Sequence, residues 1–215
     1  MQAEIRPAAG RRRRVTPETI TAAGIELTLP KVTVKTLAEK LGVSIVAIYN
    51  NIDGIDAVKD LVAEEILRRW DFPAPADGES LHDALMRLAI DLRRLVHGHP
   101  GIAHYLVNIG AGSHHALAKI DAVQQRYATQ YDLSPTQAVW AVATVAEHAI
   151  ALAELVHTPD RRQNQPAMVA RDDLSVIPLG VDAESRSLDS DFEWSMRAAV
   201  VGAVAVIGDP RFDER

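Results

Sequence analysis

Between Thr33 and Ile52 the chain carries its densest run of residues able to meet another molecule. Lys35, Ser44, Tyr49, Asn50 and Asn51 offer hydrogen-bond donors there, and Ile45 and Val46 offer apolar tips. Ammonium, hydroxyl and amide groups in one short stretch suit an anionic or polar partner, and alkyl tips beside them suit its apolar parts. Covalent chemistry has no comparable set. The sequence holds no Gly-x-Ser-x-Gly, no Gly-x-x-x-x-Gly-Lys and no Gly-x-Gly-x-x-Gly, and Gly110-Ala111-Gly112-Ser113 lacks a preceding strand. Glu147 and His148 are adjacent, and neighbours on a helix point apart. The sequence therefore predicts no catalytic residues, no enzyme and no cofactor.

Two short helices must hold the 33–52 residues in place. Thr33 is an N-cap, Val34, Leu37, Ala38 and Leu41 share one helical face, and Gly42 supplies a left-handed C-terminal residue. Ser44 caps a second helix that buries Val43, Ala47 and Ile48 and turns Ser44, Ile45, Val46, Tyr49 and Asn50 outward. This is a helix-turn-helix, whose second helix is shaped to enter a DNA major groove. A helix over about 16–27 precedes it, and an amphipathic helix over about 55–70 follows.

The order Leu-Ala-x-x-x-Gly-Val-Ser-x-x-x-x-Tyr closely resembles the DNA-binding domain of TetR-family transcriptional regulators, and residues 11–70 match that family in order and spacing. The resemblance implies an all-α protein with a three-helix helix-turn-helix domain and a C-terminal helical domain for ligand binding and dimerisation. It implies DNA contacts from Arg13, Arg14, Thr33, Lys35, Ser44, Ile45, Val46, Tyr49, Asn50 and Asn51. In that scheme Ser44 and Tyr49 meet phosphates, while Lys35 and Asn50 reach bases. Where the family carries a His and then a phosphate-holding Lys, this chain has Asn51 and Ile55. An alkyl side chain offers no charge, so one phosphate contact is expected to be missing unless Lys59 or the arginine arm makes up for it.

The formal charge of −6 alone argues against nucleic acid, but its distribution reverses that inference. Residues 1–52 hold eight basic against four acidic side chains, whereas the remainder holds 15 against 25. A basic head on an acidic body is the footprint of a DNA-binding domain joined to one that does not bind DNA. Arg11-Arg12-Arg13-Arg14 reads either as a solvated tail or as an arm for the backbone or minor groove. With no cysteine and no apolar leader run, the chain is expected to be cytoplasmic.

Phe72-Pro73-Ala74-Pro75-Ala76-Asp77-Gly78 interrupts the helical pattern, giving a DNA-binding domain over 1–70, a linker over 71–79 and an effector-binding and dimerisation domain over 80–215. Helices are expected over about 79–97, 102–109, 114–131, 135–157 and 189–208. The last two are apolar on more than one face, which predicts a homodimer. Glu147, His148 and Glu154 inside the first of them argue against a membrane span. Residues 158–187 show no helical period and are expected to be a long loop, either a lid or disordered.

The eight histidines all fall after residue 80: His82, His97, His99, His104, His114, His115, His148 and His157. Without a fixed ligand spacing they read as helix ends or pocket walls, and no metal is expected. The resemblance further implies a cavity for an unknown small-molecule effector lined by Leu85, Met86, Ala89, Leu92, His104, Tyr105, Asn108, Trp140, Thr144 and His148, positions that could equally be ordinary core. The reading is a ligand-responsive regulator, a repressor released from a palindromic double-stranded DNA operator. The alternative is a DNA-binding architectural protein without a ligand.

Overall fold

The structure is a computed structural model that describes residues 15–110, 113–156, 159–185 and 187–212. Among them are eleven α-helices and no strand. Packing divides the chain into two units, one through Ile66 and one from Leu67 onward, so the division falls inside a helix.

The first unit contains α1 (Pro17–Leu27), α2 (Val34–Leu41), α3 (Ile45–Tyr49) and most of α4 (Ile55–Arg69). Local signals start and stop these helices. Thr16 and Thr19 form a reciprocal capping box ahead of Pro17, Thr33 and Thr36 form another, and Gly42 ends α2 at φ 67°. Ile20, Leu29, Val32, Leu37, Ile48, Val58 and Val62 are buried together as the core. At Gly24 a Cβ would stand 2.4 Å from Val62 Cγ2, so α1 and α4 approach at a distance that only glycine permits.

The second unit is built on α5 (Leu81–Gly98), α8 (Pro135–Ala151) and α11 (Leu188–Ile207), which pack on one another, with α7 (His114–Gln130) against α8. The short α6 (Ile102–Val107) begins after Gly101, whose φ is 85°. Leu85, Leu88, Leu92 and Leu95 bury the apolar stripe of α5. Ser134, Pro135 and Gln137 start α8 with a capping box, and Gln137 Nε2 donates to Ile207 O at 2.8 Å, joining the start of α8 to the end of α11. Arg93 of α5 meets Asp189 at 2.8 Å and lies 4.7 Å over the Phe192 ring. The span Pro135–Val156 is long and apolar enough to cross a bilayer, yet it contains Glu147, His148 and Glu154 and packs on α5, α6, α7 and α11 of this unit.

Two features differ from the sequence reading. The last turn of the long apolar helix is π-helical, over Leu152–Val156. The expected loop over 158–187 instead contains α9 (Pro159–Val169) and α10 (Ile177–Ser185), which pack on each other. Arg, Gln, Ala and Met favour helix in α9 without any amphipathic stripe, so a search for burial period passes over it.

Candidate nucleic-acid surface and apolar cavity

Ser44 fixes the start of α3, its Oγ accepting the Ala47 amide at 3.2 Å. From that start Ile45, Val46 and Tyr49 stand outward, with 65% of Val46 and 60% of Tyr49 exposed. Ile48, on the opposite side, is fully buried. Three large apolar or aromatic side chains on five residues of exposed helix form a surface that water does not favour and base edges can use. Lys35 projects from α2 with its side chain 77% exposed, 4.0 Å from Glu39. Thr33 is the exposed cap of that helix, and Asn50 is exposed at the end of α3. Asn51 Nδ2 donates to Ala47 O at 2.8 Å, so one amide hydrogen is committed within the motif. Lys40 is paired with Glu26 of α1 at 2.5 Å. Lys59 lies on α4, half-buried. Arg13 and Arg14 lie outside the described residues.

The second unit holds a cavity of about 160 Å³. Its wall is drawn from four helices and the strap over 70–80: Phe72; Leu88 and Leu92; Leu106, Val107 and Ile109; Ile120, Val123 and Gln124; Val142, Ala143, Ala146, Glu147 and Ile150. Gln124 and Glu147 are the polar side chains among these lining residues, and Glu147 is exposed at the rim. Glu147 and Ala143 also border an open groove formed with Val139, Trp140 and Thr144.

Phe72 reaches that wall from a non-helical strap over 70–80, which α7 holds by its backbone carbonyls. Lys119 Nζ donates to Arg68 O at 2.6 Å and Trp70 O at 2.7 Å, Arg126 to Pro75 O at 3.2 Å, Gln130 to Ala76 O, and Tyr131 Oη to Ser80 O at 3.4 Å. The strap's far end is tied to α5 by an ion pair. Arg87 donates Nε to Glu79 Oε1 at 2.9 Å and Nη2 to Glu79 Oε2 at 2.6 Å, and also reaches Ala74 O. The Arg87 guanidinium holds the Glu79 carboxyl below the ordinary glutamate range. Tyr127 is buried beside this pair, and burial pushes its phenol well above its usual range.

Of the residues expected to line a cavity, Leu92 lies on this wall, and Trp140 and Thr144 border the neighbouring groove. Leu85 and Ala89 are fully buried on α5 away from the lining, and Met86 is half-buried. His104 and Asn108 are exposed on α6, with Asn108 Nδ2 donating to His104 O at 2.8 Å and the His104 ring edge-on to Tyr105 at 5.3 Å. His148 is exposed on α8. Sequence reasoning did not select Phe72, Ile120, Val123 or Gln124. The i, i+3, i+4 spacing of the last three on α7 was the available signal. Among the described residues no group of three His, Asp or Glu side chains comes together to hold a metal ion.

The chain matches no family model and no curated relative. Solved structures do match across nearly its whole length. Apo ActR from Streptomyces coelicolor aligns at a TM-score of 0.68 with 15% identity, covering 93% of this chain and 99% of that one. ActR in complex with actinorhodin gives 0.66 and 18%, covering 92% and 99%. TetR from Acinetobacter baumannii AYE gives 0.63 and 20%, covering 89% and 98%. The chain therefore has the fold of TetR-family transcriptional regulators, an all-α architecture with an N-terminal helix-turn-helix.

Proposed function

We propose that this protein is a DNA-binding transcriptional regulator that acts as a homodimer, with a small molecule in the cavity of the second unit controlling its affinity for a palindromic operator. The observation that carries the reading is the outward face of α3, where Ile45, Val46 and Tyr49 stand exposed beside Ser44 and Lys35 on a capped helix-turn-helix. Such a face fits the major groove, with Ser44 and Tyr49 on phosphates and Lys35 and Asn50 at base edges. Arg13 and Arg14 would add backbone or minor-groove contacts, and Asn51 keeps one amide hydrogen for a phosphate.

Homodimerisation is supported by the outer side of α11, where Trp194 is 69% and Val201 57% exposed, and by Val139 on α8. Exposed apolar side chains on two adjacent helices are the material of an intersubunit four-helix bundle. Effector control is supported by the cavity itself and by similar folds that hold ligands, minocycline in a TetR variant and actinorhodin in ActR. Phe72 touches any occupant and lies on the strap that continues α4, the helix shared with the DNA-binding unit. Leu106 and Val107 give α6 a second point of contact with the occupant. An occupant favouring one arrangement of these elements would move recognition helices off half-sites about 34 Å apart, and repression in the cytoplasm would be relieved.

The test begins with selection of an operator from random duplexes and measurement of affinity by fluorescence anisotropy across a salt series. Tyr49→Ala should weaken binding about tenfold without loss of folding, and Lys35→Ala should lower the salt slope by about one unit. A protein that selects no sequence, or a Lys35→Ala variant with wild-type affinity and slope, contradicts the assignment.

A further inference from the structure

We infer that the cavity of the second unit takes a compact apolar cation, about the size of one substituted aromatic ring, with its charged end against Glu147. The inference deepens the reading of this cavity as the effector site and rests on it.

Size sets the first limit. At about 160 Å³ the cavity is close to the roughly 150 Å³ that admits one benzene molecule, so an occupant of several fused rings does not fit without rearrangement. Polarity sets the second. Twelve of the fourteen lining side chains are hydrocarbon, which rewards burial of an apolar body and penalises a polar group that finds no partner. Charge sets the third. Among the described lining residues there is no Lys, Arg or His, so a carboxylate or phosphate entering the cavity would meet no cationic side chain. Glu147 is the one ionisable group of the wall, and its exposed position at the rim lets a ligand's ammonium sit beside it while remaining partly hydrated. Gln124, from the facing helix α7, can donate to or accept from a neutral polar substituent, and so does not discriminate by charge. An aromatic body with a short cationic arm satisfies all three limits together.

Three probes of nearly equal size separate these factors at pH 7: benzylamine, which is protonated, benzyl alcohol, which is neutral, and benzoate, which is anionic. Isothermal titration and thermal shift on the full chain should give benzylamine about a tenfold advantage over benzyl alcohol, with benzoate weakest. In Glu147→Gln the ratio of benzylamine to benzyl alcohol affinity should fall to about one. Ala146→Leu fills the wall from within and should remove binding of both while the variant still melts cooperatively. Benzoate binding as tightly as benzylamine, an unchanged ratio in Glu147→Gln, no binding of benzylamine at ten millimolar, or probe binding that survives Ala146→Leu each overturns the inference. Operator affinity measured with saturating benzylamine separates the two readings: selective binding that leaves DNA affinity unchanged keeps the ligand class and removes the switch.

Discussion

The residues proposed to meet DNA are neighbours in sequence, whereas those around the cavity are drawn from 72 to 150 and converge only when four helices pack. In the first unit, two caps and a left-handed glycine fix α2 and α3, and the exposed face follows from where those helices start. In the second, the hollow is whatever the packing of α5, α6, α7 and α8 leaves unfilled. A surface written locally can be altered one side chain at a time. A hollow made by convergence answers to changes anywhere in its supporting shell.

This contrast can be broken most sharply at the self-association face. Val201→Arg sets a charge on the outer side of α11, where burial without a partner should cost about 3–5 kcal/mol of association free energy. Sedimentation should find the wild type dimeric and the variant monomeric. A monomeric wild type at micromolar concentration would leave both units without a shared scaffold.

A smaller effect should separate the two units. Gly24→Leu forces a side chain into the 2.4 Å approach to Val62 and should destabilise the first unit by up to about 3 kcal/mol. Hydrogen exchange should accelerate over 17–66 and stay slow over 81–98 and 135–151. Equal acceleration in both would mean that the units do not melt independently.

The smallest effect concerns the strap. Glu79→Gln removes the carboxylate that Arg87 holds and should cost about 1.5 kcal/mol. Because the folded carboxyl titrates below the ordinary 4.5, the folded state takes up its proton less readily than the unfolded chain, and the stabilisation is complete above that value and lost as pH falls through the folded pKa. Urea titrations should therefore show wild type and variant far apart at pH 7 and converging as pH drops below 4.5. A constant gap would assign the loss to packing.

Legibility followed the same divide. Thr33, Gly42, Ser44 and the Ser134-Pro135-Gln137 start are signals carried by adjacent residues, and the helices begin and end where those signals stand. The cavity was not readable in that way. Leu85, Leu88, Ala89 and Leu92 share one stripe of α5, yet Leu88 and Leu92 face space while Leu85 and Ala89 face atoms, a difference set by helices far along the chain. The helices α9 and α10 escaped for another reason. The described side chains there are mostly exposed and carry no burial period.

The grip of α7 on the strap makes the segment from 70 to 80 a ruler. The hydrogen-bond acceptors are main-chain oxygens, at Arg68 just before the strap and at Trp70, Pro75, Ala76 and Ser80 along it, so apart from the exposed Lys119–Asp71 ion pair the grip reads distance rather than side-chain identity. From Lys119 to Gln130 the helix advances about 16 Å, and six residues of strap from Trp70 to Ala76 span about 20 Å when fully extended, leaving little slack. An exposed position such as Asp77 can therefore drift in sequence without consequence. One residue added or removed would put every later carbonyl out of step with its donor.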